Sequence, residues 1–305
     1  MPYFPTIRPP RGAPASRVKS QSAMEYLMTY GWAILVIAVV LGILFQLGVF
    51  GNADIAPKSQ PGSCQVQKTA AGISLEGMCQ GELPQYVGSF PYPGGNWQAA
   101  ITSGSGTTSS ATLAFWWWIT NEGAVISDGG SCDSSLFGFS FSDGSINSYL
   151  PNCYGVGNAR ITVYTFNSAN QNIGQTATVN GFLGKWGQVI VTFNSIAATI
   201  YINGALDSTY PFSQSLGTFA LSSIAMYPLN SSIADIQVYN TSLSAAEAQA
   251  LYQEGIGGAP VRPQNIVGWW PLNSNSNDYS GNNNNGRIVS NVGFSSMWTT
   301  AYSSP

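Results

Sequence analysis

Residues 31–50 read GWAILVIAVVLGILFQLGVF, a run in which Gln46 alone is strongly polar and nothing is charged. At 1.5 Å rise per residue, about twenty helical residues span about 30 Å, the thickness of a bilayer core. Ending the run at Gln46 still leaves more apolar length than a buried soluble helix needs. Upstream stand Arg8, Arg11, Arg17 and Lys19, and no acid precedes Glu25. Basic flanks stay on the cytoplasmic side. The expectation is a single-pass protein of the cell membrane, with a cytoplasmic N-terminus and an extracellular C-terminal domain. Tyr26, Tyr30 and Trp32 fall where an interfacial aromatic belt would lie. Gly31, Gly42 and Gly48 are not at GxxxG spacing, so no helix-dimer motif is read.

An ordinary secretory signal is cut after its apolar run. Here the residues that follow, Gly51-Asn52-Ala53-Asp54-Ile55-Ala56-Pro57, offer no small-x-small site. The cleavage-like feature lies before the run instead: a basic leader ends at Lys19-Ser20, followed by Gln21-Ser22-Ala23-Met24-Glu25-Tyr26-Leu27. This stretch resembles the class III signal of archaeal type IV pilin-like proteins. The resemblance covers residues 21–50 and implies a prepilin-type peptidase cutting between Ser20 and Gln21. Residues 1–20 would be the leader and residues 21–50 the pilin-like helix. Glu25 would then lie close to the new N-terminus, where the family uses an acid to seat a subunit beside its neighbour. A carboxylate at membrane depth is costly unless it meets a cation such as a new α-amino group. The leader departs from the family in carrying Ser20 where glycine is usual. Without processing, the helix is a plain signal anchor.

Most of the 305 residues follow Phe50, enough for one β domain with a substantial core. Charged residues make up only 8%, and since four of the basic residues precede the helix, the exterior part is mildly acidic. No basic patch exists, so nucleic acid is not an expected partner. A surface of uncharged polar groups changes little as carboxylates protonate, a hint of an acidic exterior. The absence of histidine removes imidazole bases, His-containing triads and His-ligated metals. Cys64, Cys79, Cys132 and Cys153 all lie past the helix, and an even count outside the cell points to disulfides. Of the three connectivities, nearest pairing (Cys64–Cys79 and Cys132–Cys153) closes loops of moderate length and is the expected one. Zinc is the alternative, without CxxC spacing to support it.

Residues 51–63, with Pro57 and Pro61, read as a linker. The strand pattern follows. Gln85–Phe90 is a short strand with a turn beginning at Gly94-Gly95. Ala111-Thr112-Leu113-Ala114-Phe115-Trp116-Trp117-Trp118-Ile119-Thr120 places Leu113, Phe115, Trp117 and Ile119 on one face and Trp116 and Trp118 on the other. Both faces are apolar, which predicts a central strand. Gln188-Val189-Ile190-Val191-Thr192-Phe193 and Ala198-Thr199-Ile200-Tyr201-Ile202 are strands, and Asn203-Gly204 supplies the positive φ angles of a type I′ hairpin turn. Residues 232–239 are a further strand. Ser244 and Glu247 form a capping box for a short helix from Ala245 to about Gln253 that stops at Gly255.

This order, KWGQVIVTF, a hairpin on YINGAL, then IADIQVYNTSLSAAEAQALYQEG, resembles the LamG-like jelly roll of the concanavalin A-like superfamily. Asp235 and Tyr239-Asn240 match its closing strand segment. The resemblance covers roughly residues 82–257 and implies two antiparallel sheets packed face to face. Residues 266–272, IVGWWPL, with Asn277-Asp278-Tyr279-Ser280-Gly281-Asn282 and Gly286, resemble the opening segment of such a domain. Too few residues follow for a second sandwich, and the first stretch lacks this opening. The expected fold is therefore mainly β: a transmembrane helix, then one sandwich over residues 64–257, completed by residues 258–305 as a permuted part. Addition of that tail to a neighbouring subunit is the alternative.

Sugar-cutting members of this superfamily set carboxylates close together on one strand, in an E-x-D-x-x-E-like run. No such run exists here; Asp235 stands alone as a strand acid, so an enzyme is not expected. No cofactor is required, although Asp278 with Asn277 and Asn282 offers oxygens for Ca2+; the competing reading is a turn held by Asx hydrogen bonds. The tryptophans of residues 116–118 are assigned to the core rather than to a sugar-stacking platform. Asn230-Ser231-Ser232 and Asn240-Thr241-Ser242 are glycosylation sequons. The expected function is a surface-anchored, pilin-like structural or adhesion protein, with like subunits or surface carbohydrate as partners. The alternative is a lectin-like adhesin that stays monomeric.

Overall fold

The structure is a computed structural model and describes residues 18–46, 58–79, 82–91, 95–119, 134–150, 160–176, 179–180, 184–228 and 230–305. The chain divides into two units, Met1–Gly51 and Asn52–Pro305. In the first, α1 runs from Val18 to Gln46, and its described side chains, Met28 and those of residues 30–43, are exposed. Among the described residues, no helix is long and apolar enough to cross a membrane. The expectation for residues 21–50 also draws on residues 44–50, whose side chains lie outside the described residues.

The second unit is built on two eight-stranded antiparallel sheets, with strands numbered along the chain. The first runs β15 (Ala205–Pro211), β14 (Ala197–Ile202), β13 (Trp186–Asn194), β7 (Ser110–Ile119), β17 (Ser231–Tyr239), β5 (Val87–Phe90) and β20 (Gly293–Ser295), with β18 (Ile266–Trp270) also paired to β17. The second runs β11 (Asn172–Gln175), β10 (Arg160–Asn167), β9 (Gly144–Leu150), β8 (Ser134–Phe141), β16 (Leu221–Met226), β6 (Asn96–Ala100) and β19 (Gly286–Ser290), with β12 (Val179–Asn180) beside β10. A hairpin of β2 (Cys64–Thr69) and β3 (Gly72–Gly77) stands apart. β1 (Lys58–Ser59), inside the stretch read as linker, pairs in parallel with β4 (Leu83–Pro84).

Local sequence explains the central elements. β7 lies between β13 and β17, and its two apolar faces enter different cores. Leu113, Phe115, Trp117 and Ile119 join the layer between the sheets, and Trp116 a layer outside the first sheet. Asn203 and Gly204 take φ of 50° and 72° and close the β14–β15 hairpin. α2 (Ala245–Glu254) starts at the Ser244–Glu247 capping box and ends at Gly255, φ 76°.

The C-terminal stretch of residues 258–305 supplies strands to both sheets of its own chain. β18 pairs with β17, β20 with β5, and β19 with β6. Trp270 sits edge-on to Trp97 at 5.4 Å inside the sandwich, and its Nε1 donates to Asn284 O. Outside the first sheet, α2 and the β2–β3 hairpin cover Tyr239, Ile190 and Trp269, while Trp298 and Tyr302 cover Trp116 and Ala234. The central strands of the first sheet, β13, β7, β17 and β18, are thus buried on both faces, while its edge strand β15 is largely exposed. The second sheet is buried on its inner face only, among the described residues.

Candidate functional site

The outer face of the second sheet is the surface the fold leaves open. Inward residues Trp97, Phe137, Phe139, Ile146, Val163 and Ile224 fill the core, so strand alternation sends their neighbours outward. Registers align those neighbours into a row: Tyr164 on β10 opposite Asn147 on β9, then Gly138 on β8, Ala225 on β16, Gln98 on β6 and Arg287 on β19. At about 4.8 Å per strand, the part from Asn147 to Arg287 spans ~19 Å. A second row holds Ser145, Ser140, Ser223 and Ala100.

All residues of these rows except Tyr164 and Ser145 line a groove of about 610 Å³, together with Ser135, Tyr227 and Asn285. Its floor is made by the small residues Gly138 and Ala225. A Cβ on Gly138 would stand 3.1 Å from Asn147 Oδ1, so glycine lets that amide lie over the floor. Asn147 Nδ2 donates to Ser145 Oγ at 3.1 Å, and Arg287 Nη2 reaches Gln98 Oε1 at 3.5 Å. Planar amides, hydroxyls, one guanidinium and the Tyr227 ring can hydrogen-bond and stack on a neutral polyhydroxylated ligand. Among the described lining residues there is no carboxylate or thiol to move a proton.

The residues singled out from sequence are dispersed. Ser20, Gln21 and Glu25 lie on α1, with side chains outside the described residues. Cys64 and Cys79 are bonded; Cys132 and Cys153 lie outside the described residues. Asn230 is half-buried at φ 42°, just before β17. Asn240, at the end of β17, accepts from Asn265 Nδ2 through Oδ1 at 3.0 Å. Trp116 and Trp117 are each 1% exposed and form no platform.

The candidate calcium residues do not form a cation shell. Asp278 Oδ1 accepts from the Trp269 and Ser280 amides, and Oδ2 from Ser280 Oγ and the Asn284 amide, all within 2.9 Å. Asn282 Oδ1 accepts from the Lys68 ammonium at 3.0 Å. Oxygens turned toward N–H and O–H donors and an ammonium group suit an Asx-held turn, not a cation. The Asn277 amide donates to Asn275 Oδ1 in the same turn. No group of three acids and cysteines suited to a metal occurs among the described residues.

Asp235 is 2% exposed, at a bulge of β17 with φ 51°. Trp269 Nε1 donates to its Oδ1 at 2.7 Å, and Gln237 Nε2 lies 3.1 Å from both oxygens. Tyr239 Oη donates to Gln237 Oε1. Burial pushes the Asp235 carboxyl up to about 7; hydrogen bonds from Gln237 and Trp269 oppose this, and the Glu254 charge adds to it. The acid lies under α2 and the C-terminal tail, away from the groove, so it is a structural carboxyl. Sequence reasoning missed the groove residues because each is an ordinary outward strand residue; their alignment is visible only in the register.

A two-sheet sandwich with one polar face open and no paired carboxylates on it has the construction of a lectin-like jelly roll. A family profile described as the Concanavalin A-like lectin/glucanases superfamily matches residues 93–249, just over half of the chain. The chain belongs to that superfamily. No curated protein sequence matches it. Similar solved structures include a native heptameric SAP-like pentraxin from Limulus polyphemus, at 14% identity over 70% of this chain and 96% of that one, TM-score 0.43. A candidate carbohydrate binding protein from Bacteroides ovatus shares 10% identity over 75% of this chain and 64% of its own, TM-score 0.48. Domain 4 of AbnA, an extracellular arabinanase from Geobacillus stearothermophilus solved with arabinotriose, shares 12% over 65% and 86%, TM-score 0.36.

Proposed function

We propose that this chain is a surface-anchored, pilin-like structural or adhesion protein whose sandwich presents a carbohydrate-binding face. The observation that carries the binding half is the open groove over Gly138 and Ala225, lined also by Gln98, Asn147, Tyr227 and Arg287. Its size and near-neutral lining suit several linked neutral sugars. Binding rather than cleavage is the role, because glycoside hydrolysis needs two carboxyl groups flanking the scissile bond. The anchoring half rests on the uncharged run of residues 31–50 and the basic leader before it. Leader cleavage before Gln21 by a prepilin-type peptidase would leave Glu25 to seat the helix beside a like subunit.

The test of binding is a glycan array with the full chain, followed by calorimetry on any hit. Asn147→Ala and Tyr227→Ala should each weaken binding by roughly tenfold, the worth of one hydrogen bond or stacking contact. A hit whose affinity survives both substitutions would place the sugar elsewhere, and no hit among neutral glycans would remove the lectin reading. The anchor is tested by mass spectrometry of the native N-terminus with the oligomeric state of the same sample. A chain starting at Gln21 in a high-order assembly supports the pilin pathway. A cleaved monomer, or a chain retaining its leader, would leave an anchored adhesin.

A further inference from the structure

The β2–β3 hairpin is fastened to the C-terminal stretch by a contact that the binding face does not use. Lys68, on β2, reaches into the turn after β18. Its Nζ donates to Ile266 O at 2.8 Å and to Asn282 Oδ1 at 3.0 Å. Asn282 is held on every side. Its Nδ2 donates to Ile266 O, Val267 O and Ser280 Oγ, all within 3.0 Å. Gly104 packs so close that a Cβ there would run into the Asn282 amide. Ser280, fully buried, donates from its Oγ to Asp278 Oδ2 at 2.9 Å. Val66 N donates to Tyr279 O at 2.8 Å, which fixes β2 against the same turn.

The geometry points to an intramolecular isopeptide bond between Lys68 Nζ and Asn282 Cγ, formed by the protein on itself. The amine is positioned against the amide carbonyl. The leaving nitrogen touches a hydroxyl that is tied to a carboxylate. Burial of the half-buried Lys68 amine lowers its pKa from the ordinary lysine value, against the Asp278 charge, which raises it, and so eases access to the neutral, nucleophilic form. In the step, the neutral Lys68 amine adds to Cγ and a C–N bond forms. One of its two protons passes to Nδ2, with Ser280 Oγ and Asp278 as the acid–base relay. The Cγ–Nδ2 bond then breaks and ammonia leaves. No oxidant, reductant or further reactant is needed. Holding the two groups together supplies the proximity that such a reaction lacks in solution.

Residues 68 and 282 stand 214 apart in sequence. The bond would close a ring containing β3 through β18 and tie the first hairpin of the domain to its last strands. It would act as a disulfide does, by restricting the unfolded chain, but would resist reduction.

The test is peptide mapping of the full-length protein after denaturation and reduction. A linked chain gives one branched peptide containing Lys68 and Asn282, lighter than its two parts by one ammonia, and trypsin does not cut after Lys68. Intact mass alone does not suffice, because cyclisation of a new N-terminal Gln21 or a succinimide at Asn285-Gly286 also expels ammonia. Ser280→Ala keeps the bulk of the buried side chain and should leave most chains unlinked. Asn282→Ala should leave all of them unlinked. Recovery of Lys68 from the wild-type protein as a free amine, cleaved by trypsin or labelled by an amine reagent, overturns the inference whether or not any variant folds.

Discussion

Asp235→Asn isolates the buried carboxyl. The side chains are nearly the same size, and asparagine also tolerates the left-handed backbone found there, φ 51°. Burial raises the carboxyl from 3.8 to about 7 in the folded chain. The folded state therefore holds its proton more tightly than the unfolded state does. Below 3.8 both states are protonated and the group costs nothing. As pH rises through the window up to about 7, the unfolded chain ionises first and stability falls. Three units at 1.36 kcal/mol each give a loss of about 4 kcal/mol, complete above the folded pKa. Glu247 acts in the opposite sense. Burial raises it, but hydrogen bonds from Ser244 and the Arg262 guanidinium pull it lower overall, so its contribution is lost as the solution turns acid. That term is common to both proteins and cancels in the difference. The assay is the urea midpoint by tryptophan fluorescence across the window. The wild type should lose stability toward neutral pH by about 4 kcal/mol more than the variant, at a slope approaching 1.4 kcal/mol per pH unit. Parallel curves for the two proteins would refute the reasoning.

Trp270→Ala should cost about 3–5 kcal/mol, because it empties a fully buried site against Trp97 and strands Asn284 O; the denaturant midpoint reads it. Cys64→Ser should cost up to about 3 kcal/mol, the closure entropy of a loop with a separation of 15 residues, measured by thermal melting under oxidising conditions. Chelation with EDTA should leave both the melting temperature and any glycan affinity unchanged, since the Asp278 oxygens already face four donors; a fall in either would place a cation in the fold.

What the residues themselves made legible was local; the two-sheet sandwich and its completion by residues 258–305 were legible only through the family resemblance. Alternation and content identify β7, Asn203-Gly204 identifies the β14–β15 hairpin, and Ser244 with Glu247 identifies the start of α2, because neighbours in sequence fix each of these. The groove was not legible. Gly138 and Ala225 look like incidental small residues, and Asn147, Gln98 and Arg287 come from strands far apart in the chain. Only the registers of β9, β8, β16, β6 and β19 bring them into line. Asp235 reads as a lone strand acid, and the bulge that turns it toward Trp269 and Gln237 has no sequence signature. Lys68 and Asn282 meet for the same non-local reason as the groove residues.

The unequal covering of the two sheets is the reason the proposed binding face is assigned to the second. Trp116, Trp269 and Trp298 are all spent in the layers outside the first sheet. A sugar platform built on them would require α2 or the C-terminal tail to leave, exposing Tyr239, Ala234 and the Asp235 carboxyl to water. The second sheet asks for no such rearrangement. Its inner face is held by Trp97, Phe137 and Ile224, and its outer face already carries the amides and the Tyr227 ring. A substitution on that outer face can therefore alter binding at little cost to the core. One at the covered outer positions of the first sheet, such as Trp116, Ala234 or Tyr239, cannot, and that difference separates a loss of affinity from a loss of fold.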